Sequence, residues 1–577
     1  MTLKKRILLG AAYSVIEPLS LLYLSGLARD EGLERRINLV KNDNYGDFFT
    51  SVRDFKPDFV GFSSFTGHHP QLFEALKKLK SDFPKTQIIL GGPHATYFPF
   101  ESSKYSDFVV MSEGFNALRK IIRGEASSGI MPLEKMEQFP MPDREILYRD
   151  YPEFAANPIK NIITMTGCPY SCAHCYNGSS PEDISQGLSE DLVDRINKSV
   201  TTCGRLFPPN KRGVDEIIAE GKEIIENWPT KMIYFQDDVH GMDIKNWLPL
   251  FAERWSNEVG LPYHAQTRFE MVQDERRLDL LKKAGCFGLS LAIEVKDPVI
   301  RKEVLNRNTT DKMIINGMKL LTQKGFKTRT FQMIALPYGA TSVETPINLD
   351  ADLELVKFNV ELKELYGGPT VAWASTLAPF KKTKLGIYCE KYGHFDHKGD
   401  DVPNIFFEKS ILRFPKNWVG PSLQYKHDDS DVWLSASDLE KYRNQNAELR
   451  RLFNFFTSIP QGHVLAESYL KSDKPFSYER LNKDTKQHLD SLESTLTKDL
   501  TERIDYIQTQ VNELTQDESE LSTLDSLVTY FACIPKGELA MKKFVELGRQ
   551  SKNGFSPGLL TEVTRHHLYD KILYNLD

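Results

Sequence analysis

The chain has 577 residues and a formal net charge of −6, with 40% hydrophobic and 11% aromatic residues. That length supports about three or four domains with sizeable cores, and it excludes collagen-like, disulfide-miniprotein and wholly disordered chains. The slightly acidic balance gives no support to a nucleic-acid-binding surface, and seven cysteines are too few for a disulfide scaffold and fit a reducing, cytoplasmic compartment.

Ile7 to Ala28 is apolar and about as long as a membrane span. Glu17-Pro18 interrupts it, and no signal-peptide pattern is present. The segment therefore reads as a buried strand, a loop and a helix, and no transmembrane segment is expected. Short apolar runs then alternate with helical spacing. Strands are predicted at Arg6–Gly10, Ile37–Val40, Phe59–Phe62, Ile88–Gly91 and Phe108–Met111, with helices at Pro18–Glu31, Tyr45–Phe55 and Gln71–Phe83. This is the pattern of a doubly wound, flavodoxin-like or Rossmann-like parallel sheet over residues 1–135, which binds ligands beyond the carboxyl ends of its strands. Those ends read Gly61-Phe62-Ser63-Ser64-Phe65-Thr66-Gly67 and Gly91-Gly92-Pro93-His94-Ala95-Thr96. They are read either as ligand loops or as tight turns.

Residues 136–157 form a linker, in a stretch from 122 onward interrupted by Pro132, Pro140, Pro142 and Pro152. A second alternating block follows over 158–392. Strands are expected at Ile162–Thr166, Met232–Gln236, Tyr263–Thr267, Gly288–Ala292, Lys327–Ala335 and Val371–Ala374. Helices are expected at Ile244–Glu258, Glu275–Ala284, Asp297–Val304 and Met313–Lys324. This reads as a partial (β/α) barrel of the TIM type with its chemistry at the carboxyl ends. Residues 393–577 are mainly helical. Leu489, Leu492, Leu496, Leu500, Ile504, Ile507, Val511 and Leu514 form an apolar stripe expected to pack against the barrel rather than to form a coiled coil. Trp373, Trp418, Tyr425, His427 and Trp433 read as pocket lining or core.

Thr166-Gly167-Cys168-Pro169-Tyr170-Ser171-Cys172-Ala173-His174-Cys175 is the most informative stretch. It is a loop after a strand, and three thiolates there can ligate three irons of a [4Fe–4S] cluster, leaving one iron open. Zinc is set aside: a structural site needs four ligands, and His174 is awkwardly adjacent to Cys175. Cys203, Cys286, Cys389 and Cys533 are scattered.

The C-x-x-x-C-x-x-C spacing after a strand at the start of the barrel resembles the radical S-adenosylmethionine (SAM) superfamily. The resemblance implies that Cys168, Cys172 and Cys175 hold the cluster, that its open iron chelates SAM, and that an electron cleaves SAM to methionine and a 5′-deoxyadenosyl radical. It assigns Tyr176 and Leu336 (in Ala335-Leu336-Pro337) to the surroundings of the adenine. Gln236 and Asp237 fall to SAM's amino group, with Asp238 beside them, and Glu294 to the ribose. Arg268 and Arg307 join the SAM site, with Arg301 in the same run.

The first block resembles the cobalamin-dependent subgroup of that superfamily. The resemblance assigns Ser63, Ser64, Thr66, Gly91, Gly92, Pro93, His94, Glu113 and Gly114 to cobalamin. Two departures stand out. The signature D-x-H-x-x-G is absent, the loop reading Lys41-Asn42-Asp43-Asn44-Tyr45-Gly46, and the usual G-E-G-E reads Ser112-Glu113-Gly114-Phe115. Cobalt would then have no histidine from that loop. His68, His69 and His94 read either as approaching cobalt or phosphate or as ordinary surface.

The implied function is a cobalamin-dependent radical SAM methyltransferase that moves a methyl group through methylcobalamin to an unactivated carbon or phosphorus. A cyclase or ring-rearrangement enzyme with the same cofactors and a cobalamin-independent radical SAM enzyme are the alternatives. The substrate is unspecified: a peptide, tetrapyrrole, lipid or natural-product intermediate. A flavodoxin or ferredoxin would donate electrons, and no nucleic acid is expected.

Overall fold

The computed structural model describes residues 4–14, 16–134, 138–200, 204–337, 349–395, 409–415, 433–492, 497–514, 528, 531–532 and 537–550. Cys203, Trp418, Tyr425, His427, Leu496 and Cys533 lie outside them. The chain divides into two compact units: Met1–Phe287 with Lys302–Arg307 and Ala378–Phe407, and Gly288–Arg301 with Asn308–Leu377 and Glu408–Asp577. Among the described residues, no helix is long and apolar enough to cross a membrane.

The first unit begins with β1 (Arg6–Ala12), α1 (Leu19–Asp30), β2 (Glu34–Val40), α2 (Gly46–Phe55), β3 (Phe59–Ser63), α3 (His69–Asp82), β4 (Gln87–Gly91), α4 (Gly92–Tyr97), α5 (Pro99–Ser102), β5 (Phe108–Val110), α6 (Phe115–Arg123) and β6 (Gly129–Met131). The six strands form one parallel sheet in the order β2-β1-β3-β4-β5-β6. Successive strand residues point to opposite faces, and each face has its own core. Ile7, Leu9, Ile37, Leu39, Phe59 and Ile89 pack with α1 and α6 on one side. Leu8, Val60, Phe62, Ile88, Leu90 and Val109 pack with α2 and α3 on the other. The sequence expectation of a sheet covered on both faces is met for this physical reason.

The stretch from 122 onward is more structured than its prolines implied. It contains β6 and two short helices, α7 (Arg144–Asp150) and α8 (Pro152–Ala156). Pro152 opens α8 in the first turn, where its missing N–H costs nothing. The single strand expected at Ile162–Thr166 is two: β7 (Ile159–Ile162) and β8 (Met165–Thr166), the latter turned away to pair antiparallel with β9 (Asn210–Lys211), beyond α9 (Glu190–Ser199). After α10 (Val214–Asn227), β10 (Met232–Phe235) pairs in parallel with β7 and with β11 (Tyr263–Thr267), which follows α11 (Trp247–Glu258) and precedes α12 (Glu275–Lys283).

Strand β12 (Cys286–Glu294) carries the chain into the second unit. There it pairs in parallel with β13 (Lys327–Ile334), and β13 with β14 (Val371–Thr376). The helix expected over Asp297–Val304 is a single π-type turn at Ile300–Val304. Helices α13 (Asp311–Gln323) and α14 (Leu349–Tyr366) flank β13 in sequence. α15 (Lys384–Lys391) returns to the first unit.

The helical part of the second unit corrects one expectation. The stripe from Leu489 to Leu514 falls on two helices, α18 (Tyr478–Ser491) and α19 (Thr497–Leu514), and α19 packs on α20 (Gly537–Gln550). The helix that packs on β14 and α14 is α16 (Ala436–Ser458), which also meets α17 (Gly462–Lys471). Polar side chains anchor it. The Ala372 amide donates to Asn454 Oδ1 (3.3 Å), and Tyr442 Oη (3.1 Å) and Asn446 Nδ2 (3.0 Å) donate to Asp352.

Asp352 is buried on α14 and also accepts the Ala335 amide at 3.2 Å. Burial pushes its carboxyl up to about 7, although the hydrogen bonds from Ala335, Tyr442 and Asn446 pull the other way. Between the ordinary carboxylate value and about 7 the folded chain holds a proton that the unfolded chain has released. Stability therefore falls as pH rises through that window. Denaturation at about pH 5 and about pH 8 is expected to show a loss on the order of 3 kcal/mol from this group. Asp352→Asn should flatten that dependence; an unchanged profile would reject the assignment.

Candidate active site at the strand ends

The cysteine loop leaves β8 through Gly167, whose φ is +72°; a Cβ there would lie 2.5 Å from the Pro208 carbonyl and 2.6 Å from that of Phe207. Only glycine fits both constraints. Backbone bonds then fold the loop. The Cys175 amide donates to Cys172 O (3.1 Å), Gly178 to Cys175 O (3.1 Å), and Ala173 to Leu305 O (3.0 Å). The Leu385 amide at the start of α15 donates to Ala173 O (2.9 Å). Arg205 clamps the loop's entry, giving Nη1 to Cys168 O (2.8 Å) and Nη2 to Ser171 Oγ (2.7 Å). Cys168, Cys172 and Cys175 are free thiols.

Two guanidiniums converge on Cys172. Arg268, just past β11, places Nη1 3.2 Å from its sulfur and Arg307 places Nη1 3.8 Å away. Arg268 is held from behind by Glu270 (2.7 Å) and lies 3.8 Å over the Tyr170 ring. Burial pushes the Cys168 thiol up to about 11 and the Cys175 thiol up to about 12, and Asp238 adds to both. Asp238 accepts from Asn177 Nδ2 (2.8 Å), and burial raises its own carboxyl.

Around SAM, the structure separates the residues named from the sequence. Arg268 and Arg307 reach the cysteine loop. Gln236, at the end of β10, donates Nε2 to Asn161 Oδ1 at 2.7 Å. Asp237 is fully buried and its carboxylate is occupied by the protein: it accepts the amides of Thr164 (2.6 Å) and Met165 (3.2 Å), the Thr164 hydroxyl, and faces His240 Nδ1 at 2.7 Å. The neighbouring Asp238 instead accepts from Asn177, and its charge raises the Cys168 and Cys175 thiols, a distinction that adjacency in sequence does not carry. Tyr176 opens a short 3₁₀ turn and stacks on Tyr97 (4.0 Å between centroids). Glu294 and Leu336 are buried in the second unit, at the end of β12 and after β13. Arg301 is also buried there, bound to Asp311 (2.9 Å) and to the Val295 and Thr309 carbonyls, which marks it as a structural residue.

At the first sheet's carboxyl end, Ser63, Gly91, Gly92, Glu113 and Gly114 line one largely apolar cavity of about 220 Å³, together with Leu9, Phe62 and Val110. Gly92 has φ +88°, and a Cβ there would sit 2.8 Å from Ser63 Oγ and from the Ser64 backbone, so the residue keeps this cradle open. Ser64 is a latch: its Oγ donates to Gly91 O (2.8 Å) and accepts the Ala95 amide (3.2 Å). Pro93 starts α4. Thr66 and His94 line a second cavity of about 670 Å³ and lie 3.1 Å apart through Oγ1 and Nδ1. Glu113 accepts Thr166 Oγ1 (2.6 Å) and Asn210 Nδ2 (2.9 Å), so it also braces β8 against β9.

One departure noted in sequence has a backbone explanation. Ser112 stands where the resembling G-E-G-E motif has glycine, and it keeps a left-handed backbone, φ +58°, as Ala335 does at +56°. The conformation is retained at a small strain cost without the residue that adopts it freely.

A doubly wound sheet with a cradle at its strand ends, joined to a β/α domain that presents three free thiols, defines a metallocofactor enzyme of the α/β class. Residues 5–122 match the B12 binding domain and residues 162–344 the radical SAM superfamily. The chain is 22% identical over 398 residues to an uncharacterized methyltransferase of Pyrococcus horikoshii, covering 64% of this chain and 78% of that protein. It is 21% identical over 412 residues to the cytidylyl-2-hydroxyethylphosphonate methyltransferase of Streptomyces wedmorensis, covering 65% and 74%. Among solved structures it resembles the radical SAM methyltransferase TsrM of Kitasatospora setae, at 17% identity and a TM-score of 0.49, over 69% of this chain and 80% of that one. The chain is a radical SAM enzyme with a B12 binding domain. Its cofactors are SAM, a [4Fe–4S] cluster and cobalamin, and the three free thiols and the Gly92 cradle fit the second and third of them.

Proposed function

We propose that this enzyme transfers a methyl group to an unactivated carbon or phosphorus of its substrate, using SAM cleaved at a cluster held by Cys168, Cys172 and Cys175. The observation that carries the reading is the convergence of three free thiols, Arg268 and Asp238 on one loop. When bound, the cluster supplies the electron that cleaves SAM and cobalamin carries the methyl group; the protein positions them and excludes water. Arg268 and Arg307 hold the Cys172 sulfur in place from the protein side. Asp238, rather than the internally spent Asp237, offers a carboxylate to SAM's ammonium group. The apolar cradle at Gly92 would take the benzimidazole of cobalamin's tail, with Ser63 and the Glu113-Gly114 turn bordering it. Two relatives matched over about two thirds of this chain are methyltransferases and one matched over about half is a cyclase, which favours methyl transfer over cyclisation. A flavodoxin- or ferredoxin-type reductant and a cytoplasmic setting belong to this reading, because an open iron survives only where oxidants are scarce.

Anaerobic reconstitution with iron, sulfide and hydroxocobalamin tests it. About four irons and about one corrin per chain are expected, with 5′-deoxyadenosine formed from SAM under reduction. Four irons without corrin would remove methyl transfer through cobalamin. A product lacking the added methyl mass would turn the reading to a cyclase or rearrangement enzyme.

A further inference from the structure

The three cysteines of the loop do not share one electrostatic setting. Cys172 is the buried one, 8% exposed, while Cys168 and Cys175 are half-buried. It is also the one whose sulfur meets guanidinium groups, Arg268 Nη1 at 3.2 Å and Arg307 Nη1 at 3.8 Å. Arg307 is carried there by its own segment: the Asn306 side chain donates to Ser171 O (2.7 Å), and Leu305 O accepts the Ala173 amide (3.0 Å).

Arg268 is fixed on three sides. Its Nε and Nη2 form a fork on the two oxygens of Glu270, at 3.2 Å and 2.7 Å, which leaves Nη1 as the corner that projects to the sulfur. The guanidinium carbon lies 3.8 Å from the centroid of the Tyr170 ring, and Tyr170 belongs to the cysteine loop itself, between Cys168 and Cys172. A planar cation held by a bidentate carboxylate and an aromatic face has its remaining donor aimed in advance. The side chain is only 8% exposed, so water and salt screen it little. The resemblance assigns Arg268 to SAM, yet its Nε/Nη2 edge is already closed on a carboxylate of the protein. An N–H on a ligating sulfur favours the reduced state of an iron–sulfur cluster, because the added electron increases the negative charge that the donor faces.

We propose that Arg268, locked by Glu270 and Tyr170, is a positioning residue that raises the reduction potential of the cluster through the sulfur of Cys172, rather than a ligand of SAM. The proposal rests on the cluster being held by Cys168, Cys172 and Cys175, as in the function proposed above. The electron comes from the reductant and passes on to SAM; Arg268 changes only how readily it is accepted. Arg307, farther from the same sulfur, contributes less.

The test is a redox titration of the full chain, its cluster reconstituted anaerobically and no SAM present, followed by electron paramagnetic resonance. In Arg268→Met the ratio of reduced to oxidised cluster at a fixed potential is expected to fall about tenfold, a shift of about 59 mV toward negative values for a one-electron couple. Arg268→Lys, which keeps the charge and loses the fork, should fall between that variant and the wild type. Iron should stay at about four per chain in both, and SAM binding to the oxidised enzyme, read by equilibrium dialysis, should match the wild type. Should Arg268→Met lose its iron, Arg268→Lys carries the test, and an unmoved potential there overturns the role. A potential unmoved in an iron-loaded Arg268→Met, a loss of SAM affinity of about tenfold in it, or loss of iron from both variants would each overturn the tuning role while leaving the cluster assignment intact. A wild type that takes up no cluster would overturn it together with the reading on which it rests.

Discussion

Replacing Cys168, Cys172 or Cys175 singly by Ala is expected to abolish 5′-deoxyadenosine formation while leaving the first sheet folded. The loop's shape depends on backbone bonds of Ala173, Cys175 and Gly178 and on the Arg205 clamp, none of which uses a sulfur. Loss of one thiolate leaves a cluster held by two, and iron should fall from about four per chain to well under that after desalting. The control is Cys389→Ala: Cys389 is fully buried on α15, and burial drives its thiol far up, so its thiolate is unavailable. Iron content should not change there. Normal SAM cleavage in any of the three loop variants would remove the cluster assignment.

The second large effect concerns stability. Glu220 of α10 is fully buried and receives Arg144 Nη2 and Arg212 Nη1 at 2.6 Å each, with the Tyr23 hydroxyl donating at 3.0 Å. Arg144 also donates to Asn161 O (2.6 Å) and Arg212 to Ile163 O (2.8 Å). The network ties α1, α7 and α10 within the first unit. Burial alone would raise the Glu220 carboxyl, but Arg212 and Arg144 outweigh it and hold the group below the ordinary range. Its contribution is thus present at neutral pH and lost as pH falls into the acid range. Glu220→Gln strands two guanidiniums in the core and is expected to cost about 3–5 kcal/mol. Urea denaturation followed by circular dichroism would show it; a midpoint shift worth under about 1 kcal/mol would mean that water replaces the carboxylate.

Much of this organisation was legible in the sequence because it rests on local periodicity. The strands β3, β4, β11 and β13 fall within a residue or so of their expected bounds, and β3 and β4 do so as short apolar runs bounded by Gly, Pro or charge. Where bounds failed, a tertiary partner decided. Ile162–Thr166 broke into β7 and β8 because β8 pairs with β9, about 45 residues on. The Leu489–Leu514 stripe looked continuous because apolar spacing alone does not mark where one helix ends and the next begins.

The candidate site divides in the same way. Three cysteines at fixed spacing, a glycine where φ is positive and a run of acidic residues at a strand end are covalent facts, and the sequence by itself determined the chemistry they can hold. Which acid is available was settled only by packing. Asp237 is consumed by Thr164, Met165 and His240, while Asp238 accepts only from Asn177 among the described residues. Likewise, Arg268 and Cys172 are 96 residues apart, and neither position announces the other until the end of β11 meets the cysteine loop at 3.2 Å. Composition and spacing report which donors and acceptors a chain carries. Burial and pairing, which depend on residues distant in sequence, decide which of them remain for a ligand.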